Sequence, residues 1–189
     1  MFALVESGKI TQMPKGNIGI TLNGIQYPKS IYTLWNESER NAIGIYTVEI
    51  DNTNKKDNEW YNNTDITYAF SGGKVKGTYG TATAKEIADK TVDGVVEKGL
   101  KTIKKELIDN QCAGLLAPSD WRVVKATETG GTMDSGWKTW RASVRTKCNS
   151  MQTQIDNASD VDALAALFTY TEQSDKSITR PLGEFPEKE

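Results

Sequence analysis

The apolar residues of this chain change their spacing once, and that change limits the folds open to it. Before Gly80 they alternate with polar residues, the two-residue repeat of a strand with one wet face. After Lys98 they recur every third or fourth position, the repeat of a helix with one apolar stripe. Strands gathered first and helices second predict an α+β chain rather than alternating βαβ units. In 189 residues there is room for two small domains. The reading is a small antiparallel β-rich N-terminal domain over 1–80, a connector over 81–98, a helical domain over 99–170 and an extended C-terminal tail over 171–189. The two domains are expected to be separable.

Local signals fill in this outline. Residues 2–6 read as the first strand. Ile18, Ile20 and Leu22 lead to Asn23-Gly24, the dipeptide best suited to a tight hairpin turn, with Ile25 and Tyr27 on the return strand. Asn36 with Glu39 three positions on forms a capping box, and Gly44 is placed to end a two-turn helix. Residues 45–50 form a strand with Tyr46, Val48 and Ile50 on one face, and Ser71-Gly72-Gly73 marks a second hairpin. The connector carries a turn at Asp93-Gly94 and allows one irregular helical piece. Beyond it, Leu100, Ile103, Leu107, Ile108, Leu115 and Leu116 form a stripe with lysines between them, and Pro118 stops that helix. A second helix is predicted over 134–157 with Asp134 as its N-cap, carrying Trp137, Trp140, Val144, Cys148, Met151 and Ile155, and an Ala-rich third from Ser159 or Asp160 to about Tyr170. The helical domain is therefore read as a three-helix unit. No internal repeat is recognised.

The chain contains no histidine, which excludes Ser-His-Asp and Cys-His nucleophile pairs, histidine acid–base catalysis and His-ligated zinc. Gly72-Gly73-Lys74-Val75 lacks the hydroxyl of a phosphate loop, and Asp51, Asp57 and Glu59 lack the ligand spacing of a calcium loop. Cys112 and Cys148 show no CxxC pattern and read as two buried thiols. No catalytic residue, metal or cofactor is expected. A net charge of −2 supplies no field for nucleic acid or an anionic membrane, and Lys101 and Lys105 read as a solvated helix face. The first residues carry no basic n-region and are too short a run to span a bilayer. Asn36, Asn62 and Asn157 head Asn-x-Ser/Thr triplets that read as caps and turns. Trp35, Tyr46, Tyr68 and Phe70 either fill the core of a small sheet or offer faces to a sugar.

One stretch is more specific. Leu115-Leu116-Ala117-Pro118-Ser119-Asp120-Trp121, a polar glycine-containing loop, and then Trp137-Lys138-Thr139-Trp140-Arg141-Ala142-Ser143-Val144-Arg145 resemble the C-terminal region of the tail fibre assembly proteins and tail assembly chaperones of tailed bacteriophages. The closing Arg180-Pro181-Leu182-Gly183-Glu184-Phe185-Pro186 resembles the short tail that ends such chains, and Tyr27-Pro28-Lys29-Ser30-Ile31-Tyr32 with residues 35–50 is similar to the front of marine-phage tail-associated proteins. Gly130-Gly131 stands where that family often has proline, and the helix after Cys148 is an addition.

The resemblance implies a non-catalytic tail or tail-fibre component, made in the host cytoplasm and located in the virion tail, that acts through contacts with other tail proteins and as a homo-oligomer. A transient assembly chaperone and a host-surface carbohydrate-binding module are the alternatives. Its interaction residues would be Leu100, Ile103, Leu107, Asp120, Trp121, Trp137, Trp140, Arg141 and Arg145. Within the module, Asp120 is expected to bond at the turn, Trp121 to fill the gap between two helices, and Arg141 and Arg145 to leave Trp140 and Val144 facing inward. The Leu100 stripe can pack on the 134–157 helix or on a copy of itself.

Overall fold

A computed structural model describes residues 1–188. It divides into two compact units, Met1–Thr83 and Ala84–Glu189.

The first unit opens with β1 (Phe2–Glu6) and β2 (Lys9–Gln12), followed by the hairpin β3 (Ile20–Leu22) and β4 (Ile25–Tyr27). Two short helices follow, α1 (Ile31–Leu34) and α2 (Glu37–Ala42), then β5 (Ile45–Asp51), the two-residue β6 (Tyr61–Asn62), β7 (Ile66–Ser71), β8 (Lys74–Tyr79) and β9 (Thr83–Ala84). The capping box of α2 forms as expected: Glu39 N–H donates to Asn36 Oδ1 at 2.9 Å and Asn36 N–H to Glu39 Oε2 at 2.8 Å.

Five strands make one sheet in the order β2-β1-β5-β8-β7. The sheet is not wholly antiparallel: β5 runs parallel to β8, with Val48 opposite Val75, while the other three pairs are antiparallel. The reason is the 52–65 excursion, which returns the chain far enough along to insert β8, rather than its hairpin partner β7, beside β5. Ala3, Val5, Val48 and Val75 fill one face of this sheet with Tyr46, Tyr68 and Phe70 packed against them. The edge strands β2 and β7 approach each other, so the sheet curls around that core. Gly77 on β8 lets its neighbours close over the strand, since a Cβ there would lie 2.8 Å from side-chain atoms of Ile50, Ile66 and Tyr68. The opposite face carries Leu4 and Ile45 and is closed by Ile20 and Leu22 from the β3–β4 hairpin and by Ile31 and Tyr32 from α1.

The second unit also opens with a hairpin, β10 (Lys90–Val92) and β11 (Val95–Glu97), at the place read as connector. Asp93-Gly94 makes its turn, with φ of 51° and 79°. Thr91-Val92-Asp93-Gly94-Val95 therefore repeats Thr21-Leu22-Asn23-Gly24-Ile25, whose turn has φ of 49° and 80°. In both places a helix starts shortly after the hairpin, on the buried Ile31 or the buried Leu100. The chain thus carries a repeated hairpin–helix step that was too sparse in identities to recognise from residues alone.

Four α-helices follow where three were expected: α3 (Leu100–Leu116), α4 (Asp120–Glu128), α5 (Ser135–Asn157) and α6 (Val161–Phe168). Pro118 does end α3, but through a 3₁₀ turn over Ala117–Ser119 that leads directly into α4, in place of the expected polar loop. Proline is well tolerated in the first turn of a helix, where its missing N–H has no partner to lose. Asp134 and Asp160 cap α5 and α6, accepting from Trp137 N–H and Ala163 N–H at 3.1 and 2.8 Å.

The segment expected as an extended tail folds back. It forms the hairpin β12 (Thr171–Glu172) and β13 (Ile178–Thr179), then buries Leu182 completely. Lys147 Nζ donates to Leu182 O at 2.9 Å and Leu182 N–H to Leu167 O at 3.1 Å. No helix among the described residues is long and apolar enough to cross a membrane.

Candidate functional site

The stripe expected on α3 is rotated. Its buried row is Leu100, Lys104, Ile108 and Cys112, at strict four-residue spacing, whereas Ile103 and Leu107 are 47% and 41% exposed. Lys104 enters the row by burying its stem and placing its ammonium 5.0 Å over the Phe168 ring. Nor is the lysine face simply solvated: Lys101 Nζ donates to Asp156 O at 2.8 Å and Lys105 pairs with the Asp156 carboxylate at 2.7 Å, cations at the C-terminal end of α5. The two cysteines are buried and free, as expected. Burial, with Cys112 and Asp109 beside it, pushes the Cys148 thiol up to about 12, so it is no nucleophile at neutral pH.

Arg141 and Trp121 exchange the roles expected of them. Arg141 is buried, and its guanidinium donates to Leu116 O at 2.8 Å, to Asp120 Oδ1 at 2.6 Å and to the buried Ser119 hydroxyl. It thereby satisfies a carbonyl left open where α3 gives way to the 3₁₀ turn, and locks the α3–α4 corner onto α5. Asp120 is exposed and serves as its ionic partner. With the corner filled by an arginine, no gap remains for Trp121, which is 53% exposed on the first turn of α4. Arg145 is exposed.

Outside this corner the tryptophans gather with a cation that residue spacing did not single out. The Arg122 guanidinium carbon lies 4.6 Å from the centre of the Trp121 ring and 4.5 Å from that of Trp137. Lys125 reaches Trp121 at 6.0 Å and Lys188 reaches Trp137 at 5.3 Å. Trp137 in turn meets Trp140 edge to face at 5.6 Å, and Trp140 Nε1 donates to Pro186 O at 3.0 Å. The half-buried pair on α5 is thus fixed from behind by the folded-back C-terminal segment. Beside the ladder, Trp121, Arg122, Lys125, Thr129, Met133 and Asp134 line an open crevice of about 180 Å³. The site joins Trp121 and Trp137 from the expected set, sets Asp120 and Arg141 behind them as support, and leaves Leu100, Ile103 and Leu107 outside. The signal for Arg122 was only its place next to Trp121, because contact with Trp137 depends on the α4–α5 turn.

The sheet aromatics are part of the packing: Tyr46 and Phe70 meet at a tilt of 58° with ring centres 4.8 Å apart, and Trp35 packs edge to face on Tyr27 at 5.9 Å. Searches against family models, characterised proteins and solved structures match nothing.

Proposed function

We propose that this chain is a non-catalytic component of a bacteriophage tail or tail fibre, structural or assembling, that works through contacts with other tail proteins. The observation that carries this reading is the exposed Trp121 held beside Arg122 and Trp137 on a braced helical corner. Trp and Arg are the residues most enriched at the energetic centres of protein interfaces. Val124, 54% exposed and three positions on along α4, extends the exposed apolar surface of Trp121, and contiguous exposed apolar surface marks interaction sites. The same corner is built from the residues that resemble the phage tail assembly proteins, so the resemblance and the surface point to one region.

Two measurements test the reading. Quantitative mass spectrometry of purified particles should find the chain at fixed stoichiometry with other tail proteins if it is retained, and the tagged chain should capture a tail protein from infected cells. Absence from the particle together with capture of a nascent fibre protein would place it among the assembly chaperones. Absence from both would overturn the proposal.

A further inference from the structure

Arg122 is the feature of the corner with chemistry to spare. It lies over two indole rings but has no hydrogen-bond acceptor and no acidic partner among the described residues, in contrast to Arg141, whose guanidinium is bonded three times. Contact with the two rings satisfies none of the guanidinium N–H donors, and their fork matches the two oxygens of a carboxylate. The surroundings carry the same sign. Between Pro118 and Lys147 there are six basic residues against three acidic ones, in a chain whose net charge is −2. Of the three acids, Asp120 is paired with Arg141 and Asp134 accepts from the α5 backbone, so the basic Arg122, Lys125, Lys138 and Arg145 outnumber the one remaining acid, the exposed Glu128.

We infer that the Trp121–Arg122–Trp137 ladder is a carboxylate-receiving site, and that its occupant is an Asp or Glu side chain on an acidic segment of a partner protein. In this arrangement Arg122 receives the carboxylate edge-on and Lys125 adds charge at the rim. The exposed Trp121 ring covers the apolar stem of the incoming side chain, and Val124, three positions on along α4, extends the apolar contact. A protein segment fits better than an acidic sugar because this exposed valine offers nothing to hydroxyl groups. This inference rests on the proposed interaction role of the corner and names the chemistry of its partner.

The test uses the full chain and a short oligoglutamate peptide as probe, followed by tryptophan emission and by calorimetry at low and moderate salt. Saturable binding that weakens with salt is expected. Arg122→Lys, which keeps the charge and loses the fork, should weaken it about tenfold. Arg122→Gln should abolish it, and Lys29→Gln in the first unit should leave it unchanged. Circular dichroism should show all three variants folded, since the Arg122 side chain holds no backbone group. Wild-type affinity in Arg122→Gln would overturn the site. Binding of oligogalacturonate but not of oligoglutamate would overturn the protein partner in favour of an acidic glycan. If Arg122→Gln still captures the tail protein while oligoglutamate fails to bind, the carboxylate site falls and the tail role stands. If oligoglutamate binds through Arg122 but no tail protein is captured, the site stands and the tail role falls.

Discussion

The two hairpins of this chain share a turn and differ in almost everything that follows from it. Asn23-Gly24 and Asp93-Gly94 adopt the same left-handed pair of conformations, and in each a Thr and an aliphatic residue precede the turn. Cross-strand pairing puts Ile20 opposite Tyr27 and Leu22 opposite Ile25 on one face of the first hairpin. In the second, the corresponding pairs are Lys90 with Glu97 and Val92 with Val95. Ile20 and Leu22 are buried at 8% and 9%, whereas every residue of the second hairpin is exposed. The turn makes a hairpin in either place. The pair at its base decides whether the hairpin closes a core or stands in water. The second hairpin is tied down by polar contacts instead: Asp89 accepts from Gly99 N–H at 2.8 Å, and hydrogen bonds from Thr102 and Gly99 hold its carboxyl below the usual range.

The strongest way to break the first hairpin is to give it the base of the second. Ile20→Lys with Tyr27→Glu would place a charged pair against Ile31 and Tyr32, where desolvation outweighs their mutual attraction. A loss of more than about 3 kcal/mol is expected. Hydrogen exchange read peptide by peptide should show residues 1–83 losing protection while α3 and α5 keep theirs. Next in size, Leu22→Ala should cost about 2 to 4 kcal/mol through the cavity it leaves beside Leu4 and Ile45. Val92→Ala, at a position 37% exposed, should cost less than about 1 kcal/mol. Denaturant unfolding of the two variants measures the ratio, and equal losses would mean that the second hairpin has a core contact after all.

The same contrast explains how far the residues alone could be read. Features set within four or five positions were legible: the Asn23-Gly24 turn, the Asn36–Glu39 box, the cap at Asp134, and the bounds of α5. Features decided by a distant partner were not. Trp121 reads as a wedge until Arg141, twenty positions on in sequence, is seen to fill the corner with its bonds to Leu116 and Ser119. The β5–β8 pairing joins strands separated by a whole excursion, and a spacing rule has no access to it. The stripe on α3 was misplaced because Lys104 counts as polar in any pattern, although its stem is buried. Of the candidate interaction residues, Trp121 was expected as a buried wedge and is exposed, and Arg122, which lies over its ring and that of Trp137, carries no spacing signal of its own.

Where the hairpins agree, equal substitutions should have equal effects. An alanine at Gly24 or at Gly94 meets no atom within 4 Å, so only the backbone conformation resists it, at φ of 80° and 79°. Each Gly→Ala change should cost about 1 kcal/mol. The readout differs: Gly24→Ala lowers the stability of the first unit, whereas Gly94→Ala frays β10–β11 locally and speeds its amide exchange. A loss at Gly24 several times that at Gly94 would show that the first turn is under tertiary strain.

The smallest change in stability is expected from the reverse graft, Lys90→Ile with Glu97→Tyr. Both positions are exposed, and substitutions of exposed residues shift stability by about 0.5 kcal/mol or less. The hairpin has no core of its own to enter, so the added apolar pair, next to Val92 and Val95, extends a face already turned to water. That face would then resemble the buried face of the first hairpin without the α1 and sheet surface that covers it. The consequence should appear as association rather than as folding: unchanged unfolding midpoint, but a mass by light scattering that rises with concentration while the parent chain's does not. If the graft instead raises the unfolding free energy by more than about 1 kcal/mol with no change in mass, the second hairpin has an intramolecular surface to close on, and its exposure is a matter of sequence rather than of missing partners.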